Sequence, residues 1–143
     1  MVYLDTSFIA PLAIAEASSE SVEAFLLRCE VELATSQWTR VELASLVARR
    51  VRMREFDTDQ ADAIRAVFDQ LLAESFTTLP VATADFMTAE TLLGKADTGL
   101  RAGDALHLAV ARNHEAKTVY TLDRGLLKAG KRLRIPVSAG IAV

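Results

Sequence analysis

The apolar residues of this sequence occur in two patterns, as short continuous runs and as longer stretches with helical spacing. The first run, Val2–Leu4, ends at Asp5–Ser7, three residues that are able to cap a helix, and an apolar series from Phe8 follows. Other short runs predict strands at residues 31–35, 76–80, 118–122 and around 135–137. Apolar residues three and four positions apart predict a helix that opens at residue 18, helices at residues 38–54, 58–74, 83–93 and 104–114, and a short basic helix after residue 123.

The order of these elements predicts the fold class. Strands that alternate with helices favour an α/β sandwich with a mainly parallel sheet, and ligands of such sheets bind beyond the carboxyl ends of the strands. A chain of 143 residues has the usual size of one domain, and it contains no repeat, low-complexity tract or linker. We therefore expect one α/β domain that spans residues 1–143 and carries a single site.

Composition narrows the class of protein. Apolar residues make up 51% and charged residues 24% of the chain, and no apolar run approaches the roughly 20 residues of a membrane-spanning helix. The first residues reach Asp5 without a basic lead, unlike a signal peptide, so we expect a cytoplasmic location. The single cysteine, Cys29, excludes an internal disulfide and a cysteine zinc cluster. The net charge of −3 lacks the strongly basic character of a passive nucleic-acid binder.

Four acidic residues stand at positions that suggest a shared site. Asp5 and Asp123 each follow a β run directly, so a parallel sheet would present both carboxylates at the same edge. Asp104 begins a predicted helix, whose N-terminus stabilises an ionised carboxylate by roughly 0.3–1 kcal/mol. Glu42 interrupts an otherwise apolar stretch. On a helical wheel Glu42 shares a narrow stripe with three other polar residues, Ser45, Arg49 and Arg52.

The chemistry of these residues indicates a divalent metal and a phosphate. Carboxylate oxygens without histidine or cysteine neighbours suit magnesium or manganese better than zinc, and guanidinium groups bind phosphates. The reaction implied is metal-assisted hydrolysis of a phosphodiester. Two ions about 3.5–4 Å apart could activate the attacking water and stabilise the leaving oxygen.

Each acid also has a structural explanation when it is taken singly. Asp5 could cap the first helix, Asp104 could serve the helix dipole, Glu42 could pair with an arginine, and Asp123 could start a turn. His107 lies one helical turn after Asp104, but a histidine on a mostly apolar helix is more often a satisfied core residue. The basic run near the C-terminus could hold phosphates or form a solvated helix face; it comprises Arg124, Lys128, Lys131, Arg132 and Arg134.

Four short motifs resemble those of a known family. They are Tyr3–Ser7, Arg40–Leu43, Leu100–Ala109 and Thr121–Arg124, and in order and spacing they resemble the four acidic motifs of VapC toxins, which are PIN-domain ribonucleases. The resemblance spans nearly the whole chain. It implies a three-layer α/β/α fold, magnesium or manganese ions, endoribonuclease activity on RNA, a homodimer and a small antitoxin protein as partner.

The resemblance also assigns roles to single residues. Asp5, Glu42, Asp104 and Asp123 would be the catalytic, metal-binding quartet, and the small polar residues that would orient them are Thr6, Ser7 and Thr121. The candidates for substrate binding come from the residues themselves: Arg49 and Arg52 from the stripe with Glu42, and Arg124 from the basic run. One position departs from the pattern, because Gly103 stands before Asp104 where a larger residue is expected.

Three other functions remain for comparison. A haloacid-dehalogenase-type phosphatase needs a second aspartate two residues after the first, but this chain has Ser7 there. A receiver domain needs an early acidic pair and a late lysine after a strand, and neither is evident. A catalytically inactive PIN fold that only binds protein is disfavoured by the complete quartet.

For the toxin we expect a homodimer built partly on helices 38–54 and 58–74. We also expect an antitoxin to bind in an apolar groove between the early helices and helix 38–54.

Overall fold

The computed structural model describes residues 1–95 and 97–142 and has a parallel five-stranded sheet at its centre. The strands are β1 (Val2–Leu4), β2 (Leu33–Ser36), β3 (Thr77–Leu79), β4 (Val119–Tyr120) and β5 (Val137–Ser138). Their order in the sheet is β3-β2-β1-β4-β5, and Tyr3 of the central strand pairs with Ala34 on one side and Val119 on the other.

Helices cover both faces of the sheet. Neighbouring residues of a strand point to opposite faces, and in β1 Tyr3 packs into one apolar cluster and Leu4 into the other, both fully buried. The cluster around Leu4 contains residues of α1 (Thr6–Ala13), α2 (Ser19–Leu27), α3 (Gln37–Arg52) and α4 (Thr58–Glu74). The cluster around Tyr3 contains residues of α5 (Thr83–Leu93), α6 (Ala102–Asn113) and α7 (Arg124–Arg132). The predicted α/β/α sandwich is confirmed.

Helix α6 is the central helix of its layer, as its sequence predicts. Seven consecutive residues from Ala105 to Ala111 are buried, including His107. The helix begins at Ala102, two residues earlier than predicted, so Asp104 is its third residue and not its first. The carboxylate of Asp104 therefore lies in the first turn, where its Oδ2 accepts a hydrogen bond from the Arg101 amide at 3.4 Å.

The strands are shorter than their apolar runs predict. Only Val119 and Tyr120 of the predicted strand 118–122 form β4. The amide of Leu122 donates to the Ser7 hydroxyl, and the chain then turns into α7, which Asp123 caps. β2 begins at Leu33, two residues late, after the exposed residues 31 and 32. The predicted loop 94–102 includes Ala96, which lies outside the described residues.

Within the described parts of the chain, no helix is both long and apolar enough to cross a membrane.

Candidate active site

A pocket of about 440 Å³ lies at the carboxyl edge of the sheet, and all four predicted acids line it. Asp5 follows β1, Glu42 lies on α3, Asp104 lies in the first turn of α6, and Asp123 precedes α7. Four elements that are distant in sequence thus bring their carboxylates to one place. The other polar or aromatic residues of the lining are Thr6, Ser7, Trp38, Ser45, Arg49 and His107.

Asp5 is the most deeply buried of the four, with 3% of its surface exposed. Its Oδ1 accepts hydrogen bonds from the Phe8 amide at 3.1 Å and the Ser7 hydroxyl at 2.7 Å, and its Oδ2 accepts from the Thr121 hydroxyl at 2.6 Å. Burial raises the pKa of Asp5 above its ordinary value, although the charge of His107 and these hydrogen bonds oppose the rise. Asp5 therefore caps α1 and also contributes to the pocket.

The three small polar residues named from the sequence all contact this acid cluster. Ser7 and Thr121 bind Asp5, and their own hydroxyl oxygens lie 3.1 Å apart. Thr6 donates from its hydroxyl to Oε1 of Glu42 at 2.6 Å. Each of the two carboxylates is consequently held in one orientation by hydroxyl groups.

Glu42 has an unexpected partner in His107. The Nε2 atom of this buried histidine lies within hydrogen-bonding distance of Glu42 Oε1, and its Nδ1 lies 2.7 Å from the Tyr3 hydroxyl, which donates to Ser36 at 2.8 Å. Burial acts to raise the pKa of Glu42, but the hydrogen bond and charge of His107 outweigh it and the pKa falls below its ordinary value. Burial also raises the pKa of Tyr3 far above its ordinary value.

Sequence reasoning missed this contact. It interpreted His107 as a satisfied core residue, and the residue is indeed buried and hydrogen-bonded, yet one of its partners is a carboxylate of the pocket. The available signal was its position one helical turn after Asp104, which sets the two side chains on the same side of α6.

Asp104 and Asp123 both line the pocket and are close enough for their charges to interact. Burial, and then the nearby charge of Asp123, raise the pKa of Asp104. Asp123 is exposed, and its Oδ1 caps α7 by accepting from the Leu126 amide at 2.9 Å. The two carboxylates are thus close enough for mutual repulsion, which a cation between them would relieve.

The donor set fits a hard divalent cation. In the described residues, Oε2 of Glu42, Oδ1 of Asp104 and Oδ2 of Asp123 accept no hydrogen bond, so each acid keeps one free oxygen. As the side chains stand, however, no three of the His, Cys, Asp and Glu residues in ranges 1–95 and 97–142 are grouped closely enough to hold an ion. Glu42 and Asp5 are turned toward their hydroxyl and imidazole partners, so joint coordination requires side-chain rotation.

Comparison with known families identifies the fold family. The family model described as PIN domain matches residues 2–132, nearly the entire chain. The chain belongs to the PIN domain family. No curated protein sequence matches this PIN domain.

Solved structures share the fold at low sequence identity. The toxin VapC20 of Mycobacterium tuberculosis, which cleaves the sarcin-ricin loop, is 22% identical with a TM-score of 0.74 over 91% of this chain and 95% of that one. FitAcB of Neisseria gonorrhoeae is 24% identical with a TM-score of 0.69, covering 96% of each chain. VapBC2 of Rickettsia felis, bound to a DNA fragment from their promoter, is 16% identical with a TM-score of 0.69 over 96% of this chain and 98% of that one.

Gly103 of this PIN domain has a local reason to be glycine. A Cβ atom at this position would lie 2.9 Å from Oε2 of Glu42 and 3.3 Å from Nε1 of Trp38. The space of the missing side chain is thus occupied by the Glu42 carboxylate and the Trp38 indole. The departure from the expected larger residue therefore allows α6 to lie close to the acid-bearing face of α3.

The variant Gly103→Ala tests whether the geometry at Glu42 can be changed while the fold is retained. Alanine favours a helix over glycine by up to about 1 kcal/mol, but displacement of the Glu42 carboxylate strains its hydrogen bonds to Thr6 and His107, so the net change in stability should be small. Displacement of Glu42 should lower nuclease activity about tenfold or more, because a misplaced group weakens catalysis strongly. Thermal melts and cleavage rates of the variant test this prediction.

The control for this variant is Gly94→Ala. A Cβ on Gly94, at the end of α5, meets backbone oxygens only at 3.4 and 3.6 Å, which is ordinary contact. Cleavage by this control should match that of the wild type. Full activity in Gly103→Ala would show that the close approach of α6 to Glu42 is irrelevant to catalysis.

The three arginines that were predicted to bind substrate lie in two different places. Arg49 lines the pocket beside Ser45 and Glu42, as the helical stripe predicts. Arg52, at the end of α3, and Arg124, at the start of α7, are exposed and do not line it. Only Arg49 is therefore placed to meet a phosphate inside the pocket itself.

Proposed function

We propose that this PIN domain is a magnesium- or manganese-dependent endoribonuclease and the toxin of a toxin–antitoxin pair. The observation that carries the proposal is the meeting of four carboxylates, from four separate elements, in one pocket at the carboxyl edge of a parallel sheet. Hard oxygen donors in a pocket that also contains an arginine suit a metal ion and a phosphodiester together. The substrate in this proposal is RNA, and the place of action is the cytoplasm.

Different residues of the pocket would bind the metal ion and the phosphate. Glu42, Asp104 and Asp123 have free carboxylate oxygens and would hold the ion, with Asp5 completing the set. A bound divalent ion supplies positive charge that stabilises the charge developing on the phosphate and favours deprotonation of water. Arg49 would bind a phosphate oxygen inside the pocket.

Neighbouring hydroxyl and imidazole groups would position the carboxylates. The hydroxyls of Ser7 and Thr121 fix the orientation of Asp5 through bonds of 2.7 and 2.6 Å. Thr6 and His107 do the same for Glu42. These hydrogen bonds set the orientations from which Asp5 and Glu42 would rotate to bind an ion together.

A protein partner is supported by an apolar groove on the α1–α2 side of the molecule. This groove, of about 650 Å³, is lined by α1, α2, the end of α4 and the residues that follow it; its apolar residues include Pro11, Leu12, Leu26, Leu27, Leu71 and Phe76. Leu27 is 81% exposed, which is unusual for a large apolar side chain at a groove. The sequence predicts a partner groove between the early helices and helix 38–54, but α3 (Gln37–Arg52) contributes nothing to the lining of this groove.

The proposed toxin is also expected to form a homodimer. Large exposed apolar side chains lie on or beside α3 and α4, namely Val41 at 55%, Met53 at 61% and Val67 at 43% exposure. A second copy that covers them would remove this apolar surface from water. Light scattering at micromolar concentration should give the mass of a dimer, and a monomer alone would contradict this expectation.

The test of the proposed function is RNA cleavage by the purified protein. Total cellular RNA is incubated with magnesium, with manganese and with excess chelator, and new RNA ends are mapped by sequencing. We expect discrete new ends with either metal and none with chelator. Absence of cleavage under all conditions would favour a catalytically inactive PIN fold that serves as a protein-binding module.

A further inference from the structure

Charge is distributed very unevenly along this chain. All 19 acidic residues lie at or before Asp123, whereas five of the 16 lysines and arginines follow it. Although the net charge is −3, residues 124–143 therefore contain no carboxylate side chain at all. Such segregation creates a local positive field that the net charge hides.

Most of this positive charge lies on α7. Its inner face is buried through Leu126 and Ala129, and its outer face is strongly basic. Arg124, Lys128 and Arg132 follow one another at four-residue intervals and are exposed, so they form a row about 6 Å apart along the helix axis. We call these three residues the basic stripe.

The basic stripe starts at the active site. Asp123 is the N-cap of α7 and lines the acid pocket, and Arg124 is the next residue. Farther along, Lys128 and Arg132 line a second cleft of about 610 Å³, whose opposite wall is the loop of Asp97, Thr98 and Gly99. The stripe and this cleft form a path that leads away from the pocket over the surface of α7.

Structural roles do not account for the stripe. Within the described residues, none of its three side chains has a carboxylate within 4.0 Å, although Asp97 lines the same cleft. Cations near a helix C-terminus compensate the helix dipole, which explains Arg132, but Arg124 stands at the N-terminus, where the dipole disfavours a cation. Like charges four residues apart also destabilise a helix unless an anion joins them.

From this arrangement we infer that the basic stripe on α7 binds consecutive phosphates of a single-stranded RNA as the strand leaves the acid pocket. The inference rests on the proposed function, because it extends the path of the same substrate. A row of cations at about 6 Å spacing matches a chain of phosphates better than a single small anion. The contacts involve the sugar–phosphate backbone and so carry affinity but no sequence preference.

The test is binding of a fluorescein-labelled oligouridylate of twelve nucleotides, measured by anisotropy in the Asp104→Asn background so that the RNA stays intact. The stripe variant is Arg124→Gln/Lys128→Gln/Arg132→Gln. The matched control is Arg28→Gln/Arg112→Gln/Lys117→Gln, which removes the same charge from exposed positions elsewhere on the chain. Circular dichroism checks that both variants are folded.

We expect the stripe variant to bind about tenfold more weakly or worse, and its log–log salt slope to decrease by about 2, since each lost phosphate contact removes about 0.7. The control should stay within about twofold of the parent, with an unchanged slope. Equal affinities and slopes in the two variants would overturn the inference. So would a stripe variant that loses binding to a polyglutamate peptide but keeps RNA, because α7 would then be a site for an acidic protein.

The outcomes also separate this inference from the proposed function. If RNA binding depends on the basic stripe but the protein never cleaves RNA, the RNA path along α7 is supported and the proposed nuclease activity is refuted. If the wild type cleaves RNA but the stripe and control variants bind RNA equally well, the nuclease activity is supported and the RNA path along α7 is refuted.

Discussion

Replacement of Asp104 by asparagine is expected to lower RNA cleavage at least about a thousand-fold, the effect of removing roughly 4 kcal/mol of transition-state stabilisation. Asparagine keeps an oxygen that can accept from the Arg101 amide, so the first turn of α6 should remain capped. It removes the negative charge that would bind the metal. Cleavage rates under excess magnesium, together with a thermal melt, measure both consequences.

Asp57→Asn is the control for this substitution. Asp57 also caps a helix, α4, by accepting from the Gln60 amide at 2.7 Å, but it lies outside the acid pocket. Asparagine caps helices as well as aspartate does, so both stability and cleavage should stay close to those of the wild type. Equal loss of activity in the two variants, or full activity in Asp104→Asn, would remove the carboxylate site as the cause of cleavage.

The second large effect is expected in growing cells. Expression of the wild-type chain alone should stop growth, expression of Asp104→Asn should not, and co-expression of the product of a neighbouring small open reading frame should restore growth. The physical reason is that a nuclease pocket open to solvent needs an external inhibitor, and the groove on α1 and α2 offers an apolar surface for one. Colony counts under a controlled promoter provide the measurement.

A groove variant makes this second prediction specific. Leu27→Glu should cost little stability because the side chain is 81% exposed, yet it would place an unpaired charge against the partner and weaken binding at least about a hundred-fold. Co-expression of the partner should then fail to restore growth. Met87→Glu, at a similarly exposed position on α5, should still be rescued. Rescue of Leu27→Glu would exclude the groove as the partner site, and normal growth with the wild type alone would exclude the toxin.

The parts of the fold that follow from sequence are those governed by local periodicity. Helices α4 and α5 begin and end at the predicted residues. Asp57 caps the start of α4, and Gly94 follows the end of α5. Strand ends were less predictable, since they depend on partners elsewhere in the chain. The predicted strand 118–122 ends early because Leu122 donates its amide to Ser7, which is 115 residues away.

In the candidate site, too, some features could be predicted from the sequence and others depend on contacts between distant elements. The convergence of Asp5 and Asp123 could be predicted, since both follow neighbouring parallel strands. The position of His107 on the Asp104 side of α6 could also be predicted, but its contact with Glu42 could not, because that contact depends on how closely α3 and α6 approach. That approach is possible because residue 103 is glycine, a feature that looked in the sequence like a departure from the family pattern.

Binding of manganese to the purified protein, followed by the loss of the free-ion signal in electron paramagnetic resonance, tests the central claim most directly. It needs no knowledge of the RNA target and uses an ion that such oxygen sites accept in place of magnesium. We predict saturable binding to the wild type and to Asp57→Asn, competition by magnesium, and affinity at least about tenfold weaker in Asp104→Asn, since even partners of a metal ligand contribute that much. Equal manganese binding by the wild type and Asp104→Asn, or none by either, would contradict the assignment of this pocket as a metal centre.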